Sequence, residues 1–443
     1  MFFLFICFMI FAVFISKFKT GNFINITTPF VLMWLVMLFI SHYMYGDLYP
    51  VSDKTYNAIY LFVILVMFWF IIFSKKNYKE RDDFLQNDIQ KQDYFGEKNS
   101  KIGHQLLLII QIIVLVILVV YLIKYNTIKN SIPIDQLRIV RYYVGPLFSS
   151  GLELLIYNYF ISTFVELMGL IAIVKVIMNS KVDIKTILSL VSLIFFSLIG
   201  LGRFGLFNLI YFIVATFLFM RVSFYKYGLS KKKGKKIIFI IGILGMMIIM
   251  MVLISSIRQG KPILSASDFF MMLSDSFDQA IIYFIGPFRS LDYFLNYSTN
   301  YFEGWLYGKA FFSGLDEFFS FLFSIFGMHW ITGSSVISLL TTEPIYIGQN
   351  STFNAFYTGI FNAYLDGGYY GIVILSSVLG SISGVIWNFH LRMKNFYSFL
   401  LIIYFSLILV STVYRFEFQQ FKSYVIIFVL FILSINLKTK NNI

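Results

Sequence analysis

The sequence predicts an all-α polytopic membrane protein of about eleven transmembrane helices (about 10–12), with one long, partly helical loop on the side away from the cytoplasm. Two observations lead there. Of the 443 residues 59% are hydrophobic and only 13% are charged, and the mean hydropathy is +0.80, a balance that suits lipid as the solvent. Apolar runs of roughly the 20 residues needed to cross a hydrocarbon layer about 30 Å thick recur from end to end, near 2–16, 29–45, 56–74, 104–124, 152–178, 187–201, 204–220, 237–256, 369–389, 396–413 and 423–437.

Lys and Arg orient the chain, because positively charged loops stay cytoplasmic. The connections Lys75 to Lys101 and Arg221 to Lys236 each carry seven of them, and Lys17, Lys19, Lys181, Lys185, Arg392, Lys394, Lys438 and Lys440 then fall on the same side. With Lys175 this puts 23 of the 35 basic residues inside. The N-terminus is therefore expected outside and the C-terminus inside. Three regions follow: an N-terminal bundle of about eight spans (1–256), a large outer loop (257–368) and about three C-terminal spans (369–443). The first run lacks the charged n-region and cleavage site of a removed signal peptide and reads as a span. Strand-like alternation, which an outer-membrane barrel needs, is absent.

Several function classes are excluded. The net charge of +13 punctuates apolar runs instead of clustering on a surface, which argues against nucleic-acid binding. Cys7 is the only cysteine, so there is no disulfide framework or thiol metal site. The sequence holds no phosphate-binding GxxxxGK[ST], no HExxH and no G-x-S-x-G. No cofactor is expected, and the energy must come from the substrate or from a gradient, which leaves a transferase using an activated lipid carrier or a secondary transporter. Lys231 to Lys236 reads as a topology signal in preference to a lipid-headgroup site. Asn25-Ile26-Thr27 matches a glycosylation acceptor on the cytoplasmic side and is taken as chance.

A loop as long as 257–368 is usually functional. Ser265 and Ser267 are candidate N-caps for a helix carrying Phe269, Met272, Leu273, Phe277 and Ile281 on one face, and Gly286-Pro287 is expected to break it. A second amphipathic piece runs from Phe288 to Tyr297, and a third from Leu315 to Phe326, with Asp316-Glu317 suited to its N-terminus. The apolar part Phe318 to Phe326 is too short to span and should pack on the bundle or lie at the interface. The many aromatics of the loop fit a membrane-interface belt or stacking on sugar rings.

Four arginines at span ends run against the positive-inside bias: Arg203 in the glycine turn Gly200-Leu201-Gly202-Arg203, Arg258 after the eighth run, Arg289, and Arg415 between the last two runs. A planar guanidinium matches phosphate oxygens, so a lipid-linked phosphate at the outer face would account for the set. The plainer readings are a snorkelling Arg203 and an Arg415 paired with Glu417. His329 stands alone in Gly327-Met328-His329-Trp330, so it forms no zinc pair. It is either an interfacial histidine or an acid-base group. Asp366, Glu343, Asp275, Asp278 and Asp292 are outer carboxylates able to deprotonate a hydroxyl.

The ordered set Gly200-Leu201-Gly202-Arg203, Tyr283-Phe284-Ile285-Gly286-Pro287, Asn350-Ser351-Thr352-Phe353 and Tyr364-Leu365-Asp366-Gly367-Gly368-Tyr369-Tyr370-Gly371, together with helix count and loop position, resembles the Wzy-type O-antigen and capsule oligosaccharide repeat unit polymerases over nearly the whole chain. The resemblance implies a GT-C-like membrane architecture and a metal-independent glycosyltransferase of the bacterial inner membrane, with a periplasmic N-terminus and cytoplasmic C-terminus. It would join undecaprenyl-pyrophosphate-linked oligosaccharides at the periplasmic face. It also implies that Arg203 and Arg258, followed by Arg289, hold pyrophosphate, and that His329 and Asp366 are the candidate bases. Membrane lipid and a chain-length regulator protein are the further expected partners. An O-antigen ligase has similar chemistry with a different acceptor. A polysaccharide flippase or other secondary transporter would show internal repeats and short loops, which the sequence lacks.

Overall fold

The computed structural model describes residues 2–43, 45–75, 101–128, 131–132, 140, 145–179, 182–199, 204–223, 233–259, 264–298, 304–324, 326–353 and 357–441. The protein is all-α apart from one two-residue hairpin. In chain order its helices are α1 (Phe2–Thr20), α2 (Thr28–His42), α3 (Asp53–Phe73), α4 (Lys101–Ile128), α5 (Gly151–Leu155), α6 (Ser162–Asn179), α7 (Ile184–Ile199), α8 (Phe204–Ser223), α9 (Lys233–Gln259), α10 (Ala266–Tyr293), α11 (Ser313–Ser324), α12 (Gly333–Thr341), α13 (Gly359–Met393), α14 (Phe396–Ser411) and α15 (Phe421–Asn441). A π-helical turn, Ile156–Ile161, joins α5 to α6. Among the described residues five helical stretches are long and apolar enough to cross a membrane, and six shorter apolar helices cover the remaining apolar runs.

The chain forms two compact units, one of Met1–Glu80 with Ala280–Ile443 and the other of Arg81–Gln279. The first unit is discontinuous in sequence because α3 packs against α13 and α2 against α14. In the first unit α3 lies along α13. Ser376, Gly380 and Gly384 recur every fourth residue on α13, and a Cβ at Gly380 would stand 2.4 Å from the Val66 carbonyl oxygen. At Gly384 it would stand 2.7 Å from the Phe73 Cβ. Small residues at this spacing let two helix backbones approach closely, which is how apolar helices associate without a hydrophobic gradient between them. The hydroxyls of Ser376 and Ser383 return to carbonyls of their own helix, Ile372 at 2.7 Å and Leu379 at 2.6 Å, so the seam leaves neither without a partner.

The two ends of this unit are closed differently. At one end Asn388 accepts from Lys75 N–H and donates to the Phe73 carbonyl, both at 2.7 Å, satisfying the C-terminus of α3. Nearby Asn395 caps α14 with a capping box and donates to the Ser434 carbonyl at 2.7 Å. Basic side chains expected in the cytoplasm, Lys75, Arg392 and Lys394, belong to this end. The other end, the capped end, carries the connections 45–52 and 412–420 and the segments 304–324, 326–353 and 357–358.

Helix α10 corrects the expected break at Gly286-Pro287: it continues to Tyr293 with Pro287 inside it, followed by a π turn at Phe294–Ser298. Proline forfeits one ladder hydrogen bond, but Ile285, Phe288 and Leu291 are fully buried around it. Phe288 also stacks on Trp34 at 5.6 Å. That packing holds the helix together across the proline. The N-terminus of α10 is as expected: Asp268 N–H donates to Ser265 Oγ at 3.2 Å and Ser265 N–H donates to Asp268 Oδ2 at 2.9 Å, a reciprocal cap. Helix α11 is the expected third piece, and Phe318 stacks on Phe421 at 4.0 Å, so it packs on the bundle.

In the second unit α7 packs against both α4 and α6. Gln111 reaches from α4 to the Ser189 hydroxyl of α7 at 2.8 Å, and Leu193 of α7 presses on Gly169 of α6, where a Cβ would be 2.6 Å away. Tyr121, Phe148, Tyr157 and Phe196 form an aromatic cluster at one end of these helices. Lys175 pairs with Asp183 at 2.7 Å. Asn25, in the glycosylation-like triplet, is 1% exposed and donates to Ser16 Oγ at 2.7 Å, so it is structural.

Candidate functional site

The capped end of the first unit is built from connections far apart in sequence. The hairpin β1 (Ile345–Tyr346) and β2 (Thr352–Phe353) is held by the loop after α2. Asp47 accepts from Asn350 N–H at 2.7 Å and from Ser351 Oγ at 2.8 Å. These donors, the Asn350 amide first, keep the Asp47 carboxyl below the ordinary carboxylate range. Tyr49 N–H closes the join on the Ile347 carbonyl at 2.8 Å. Phe353 packs on Gly286, where a Cβ would be 3.0 Å from its ring, and Leu48, Ile285, Ile347 and Phe353 form a small core.

Arg289 lies beneath this layer and is 4% exposed. Its Nε donates to the Tyr49 carbonyl at 3.0 Å, Nη1 to Ser41 Oγ at 2.8 Å and the Ile285 carbonyl at 3.2 Å, and Nη2 to the Ser41 carbonyl at 3.2 Å. A guanidinium has five N–H groups, and four are committed to the protein's own oxygens. Asp292, one turn later, accepts on Oδ1 from Ser52 N–H at 3.0 Å, Thr55 Oγ1 at 2.7 Å, Asn296 Nδ2 at 3.1 Å and the Ser52 hydroxyl. It thus caps the N-terminus of α3 from another element. Both residues fasten α10 to the α2–α3 turn.

Asp366 sits just before a sharp bend in α13 at Gly367 and Gly368. Gly368 has φ +61°, and a Cβ there would meet the Trp305 ring at 3.0 Å. The carboxylate of Asp366 accepts from Ala310 N–H at 2.9 Å and Phe311 N–H at 2.7 Å, one on each oxygen. The Ala310 carbonyl accepts from Asn362 Nδ2 at 3.0 Å, and Asn362 Oδ1 accepts from Gln419 Nε2 at 3.0 Å. Gln419 ends a 3-10 turn, Glu417–Gln419, directly after Arg415. A chain of hydrogen bonds therefore connects Asp366 to the loop holding Arg415.

Arg415 and Glu417 form a buried ion pair, with side chains 9% and 1% exposed. Arg415 Nε donates to Glu417 Oε1 at 2.7 Å and Nη2 reaches the same oxygen. The expected pairing is thus present. His329 is exposed in the turn after α11, and among the described residues it makes no hydrogen bond. Its neighbour Trp330 donates to Asp316 Oδ1 at 2.9 Å, and Gly333 N–H donates to Oδ2 at 2.7 Å.

The other two arginines belong to the second unit. Arg203 lies outside the described residues. Arg258 falls in the last turn of α9, and its side chain is outside what is described. The structure thus links Asp366 by hydrogen bonds to Gln419, in the loop that also carries Arg415, gives Arg289 internal partners, and leaves His329 at the surface. A residue that sequence reading missed is Glu166, buried on α6 and accepting from Asn208 Nδ2 of α8 at 3.2 Å. The available signal was a carboxylate in the middle of an apolar run. No metal-binding group of three or more His, Cys, Asp or Glu occurs among the described residues. Comparison with protein-family models, with curated proteins and with solved structures finds no match to this chain.

Proposed function

We propose that this chain is a membrane-embedded polysaccharide polymerase with about eleven spans. It would join polyprenyl-pyrophosphate-linked oligosaccharide repeat units at the outer face of a bacterial inner membrane. The observation that carries this reading is the convergence of three stretches that resemble the repeat-unit polymerases. At the capped end Asn350 to Phe353 meets Tyr283 to Pro287 through Phe353 on Gly286 and Tyr283, and Tyr364 to Gly371 reaches the π turn that follows the same helix through Tyr364 against Phe294. Exposed Trp305, Tyr307 and Tyr346 surround that end, as a surface that meets both lipid headgroups and sugar rings requires.

Arginines supply positive charge where negative charge develops on the departing pyrophosphate, and a carboxylate takes the proton of the attacking hydroxyl. Arg203 and Arg258 are the arginines assigned to pyrophosphate. Arg289 has only one N–H to offer and acts chiefly as a clamp. A ladder of products from purified protein and lipid-linked repeat units, lost in Arg203→Ala and Arg258→Ala while the protein still inserts, is the expected result. Normal polymer in both variants would sink the assignment. Deletion in the host should leave single repeats on the surface lipid. A surface with no repeats at all would point to a ligase instead.

A further inference from the structure

Among the described residues of the first unit, four buried polar side-chain atoms have no hydrogen-bond partner: Ser313 Oγ, Thr358 Oγ1, Trp387 Nε1 and Glu417 Oε2. Buried polar groups are nearly always paired, and each orphan costs free energy. Three of these four border a single loop. Glu417 lies in it. Thr358 precedes Gly359, whose N–H donates to the Thr412 carbonyl at 2.7 Å. Ser313 precedes Gly314, where a Cβ would stand 2.7 Å from Gln420 backbone and 2.8 Å from the Phe418 carbonyl oxygen. Ser313 and Thr358 are 0% exposed and Glu417 is 1% exposed.

We propose that the 412–420 loop is a covered binding site for a hydroxyl-rich ligand, the acceptor sugar, and that Glu417 is the base that deprotonates it; this rests on the polymerase reading above. Arg415 spends two N–H groups on Oε1 alone. It thereby fixes the orientation of the carboxylate, while Oε2 is left to accept. The hydroxyls of Thr358 and Ser313 can each donate to, or accept from, a sugar hydroxyl. Phe311 closes over the loop against Phe416 and Phe418 at 5.4 and 5.9 Å, and Phe318 against Phe421. The ligand enters when this cover moves. In the transfer step the acceptor oxygen bonds to the anomeric carbon and its proton passes to Glu417 Oε2. The bond from that carbon to the pyrophosphate oxygen breaks, and its electron pair leaves with the lipid pyrophosphate. Asp366, both of whose oxygens are taken by backbone amides, then holds the cover in place as a positioning residue.

The orphaned hydroxyls make the test sharp. Removing an unsatisfied buried hydroxyl leaves the fold as stable as before or more stable, so a functional loss cannot be blamed on unfolding. Thr358→Val and Ser313→Ala in the full chain should unfold at the same temperature as wild type or higher, yet raise KM for the lipid-linked repeat unit. Glu417→Gln should lower kcat by about 100-fold or more with little change in KM, and Glu417→Asp should recover part of it. Repeat-unit oligosaccharide freed from its lipid should raise the unfolding temperature of wild type and not of Thr358→Val. Unchanged kinetics and an unchanged shift in all variants would overturn the site, the orphans then being met by water alone. A wild-type protein that makes no ladder would defeat the polymerase reading instead, and the oligosaccharide shift would still judge the site.

Discussion

Arg289 and Arg415 have the same sequence signature, an arginine at the end of an apolar run, and the structure gives them different work. Arg289 is satisfied by carbonyl and hydroxyl oxygens from Ser41, Tyr49 and Ile285. Burial pulls its pKa down from the usual arginine value, and the ring of oxygens compensates for the lost water. Arg289→Ala would leave those acceptors buried and empty. Hydrogen bonds to a charged group contribute roughly 1.5–3 kcal/mol each, so the variant should lose at least about 3 kcal/mol of stability. A drop in unfolding temperature in detergent, partly recovered by Arg289→Lys, is the expected measurement. A variant as stable as wild type would show that the clamp is dispensable. The Arg415–Glu417 pair was readable from two residues of separation. Arg289's contacts with Tyr49 and Ser41 were not, since those residues lie 240 and 248 positions away. Asp366 reads in sequence as a free outer carboxylate, whereas the fold turns it toward two amides of the 304–312 strap.

At the scale of elements, helix existence followed from composition, and helix ends and partners followed from contacts. Each apolar run became a helix because a backbone without water must satisfy its own polar groups. The stop expected at Pro287 did not occur, because local propensity is a weak prior beside the burial of Ile285, Phe288 and Leu291. The α3–α13 seam depends on glycines that leave no room for a side chain. Gly380→Leu places atoms within 2.4 Å of the Val66 carbonyl and should separate the two helices. Gly371→Ala, with a Cβ 1.9 Å from the Ala363 carbonyl oxygen, should undo the bend after Asp366. Size-exclusion profiles and unfolding temperatures are expected to show aggregation or marked destabilisation for both. Gly242→Ala, where a Cβ meets nothing within 4 Å, serves as the silent control.

At the scale of the whole molecule, the charge pattern makes a claim about sidedness that can be measured. The lone native cysteine, Cys7, is exposed, so a Cys7→Ser background permits single-cysteine labelling. Cysteine at Tyr307 or Tyr346, both strongly exposed at the capped end, should react with a membrane-impermeant maleimide in spheroplasts. Cysteine at Lys394 should react only after the membrane is opened. The reverse pattern would invert the topology. The grouping of the first three helices with the last 164 residues is invisible along the chain. Apolar helices carry no sequence mark of which neighbour they will meet beyond small residues that permit approach.

By itself the sequence determined that the chain is helical and apolar in runs. It also determined where those runs fall, where α10 begins at Ser265, and on which side the basic loops are expected. These are local properties: hydrophobic length, capping chemistry and charge act within a few residues of where they are written. Only the tertiary structure decided which helices pair, that Pro287 stays helical, and that Arg289 and Asp366 are held by their own chain. It also decided that Ser313 Oγ, Thr358 Oγ1 and Glu417 Oε2 are left without hydrogen-bond partners around one loop. Hydrogen-bond satisfaction in a buried place is a sum over every segment that reaches it, and that sum exists only once the segments have come together.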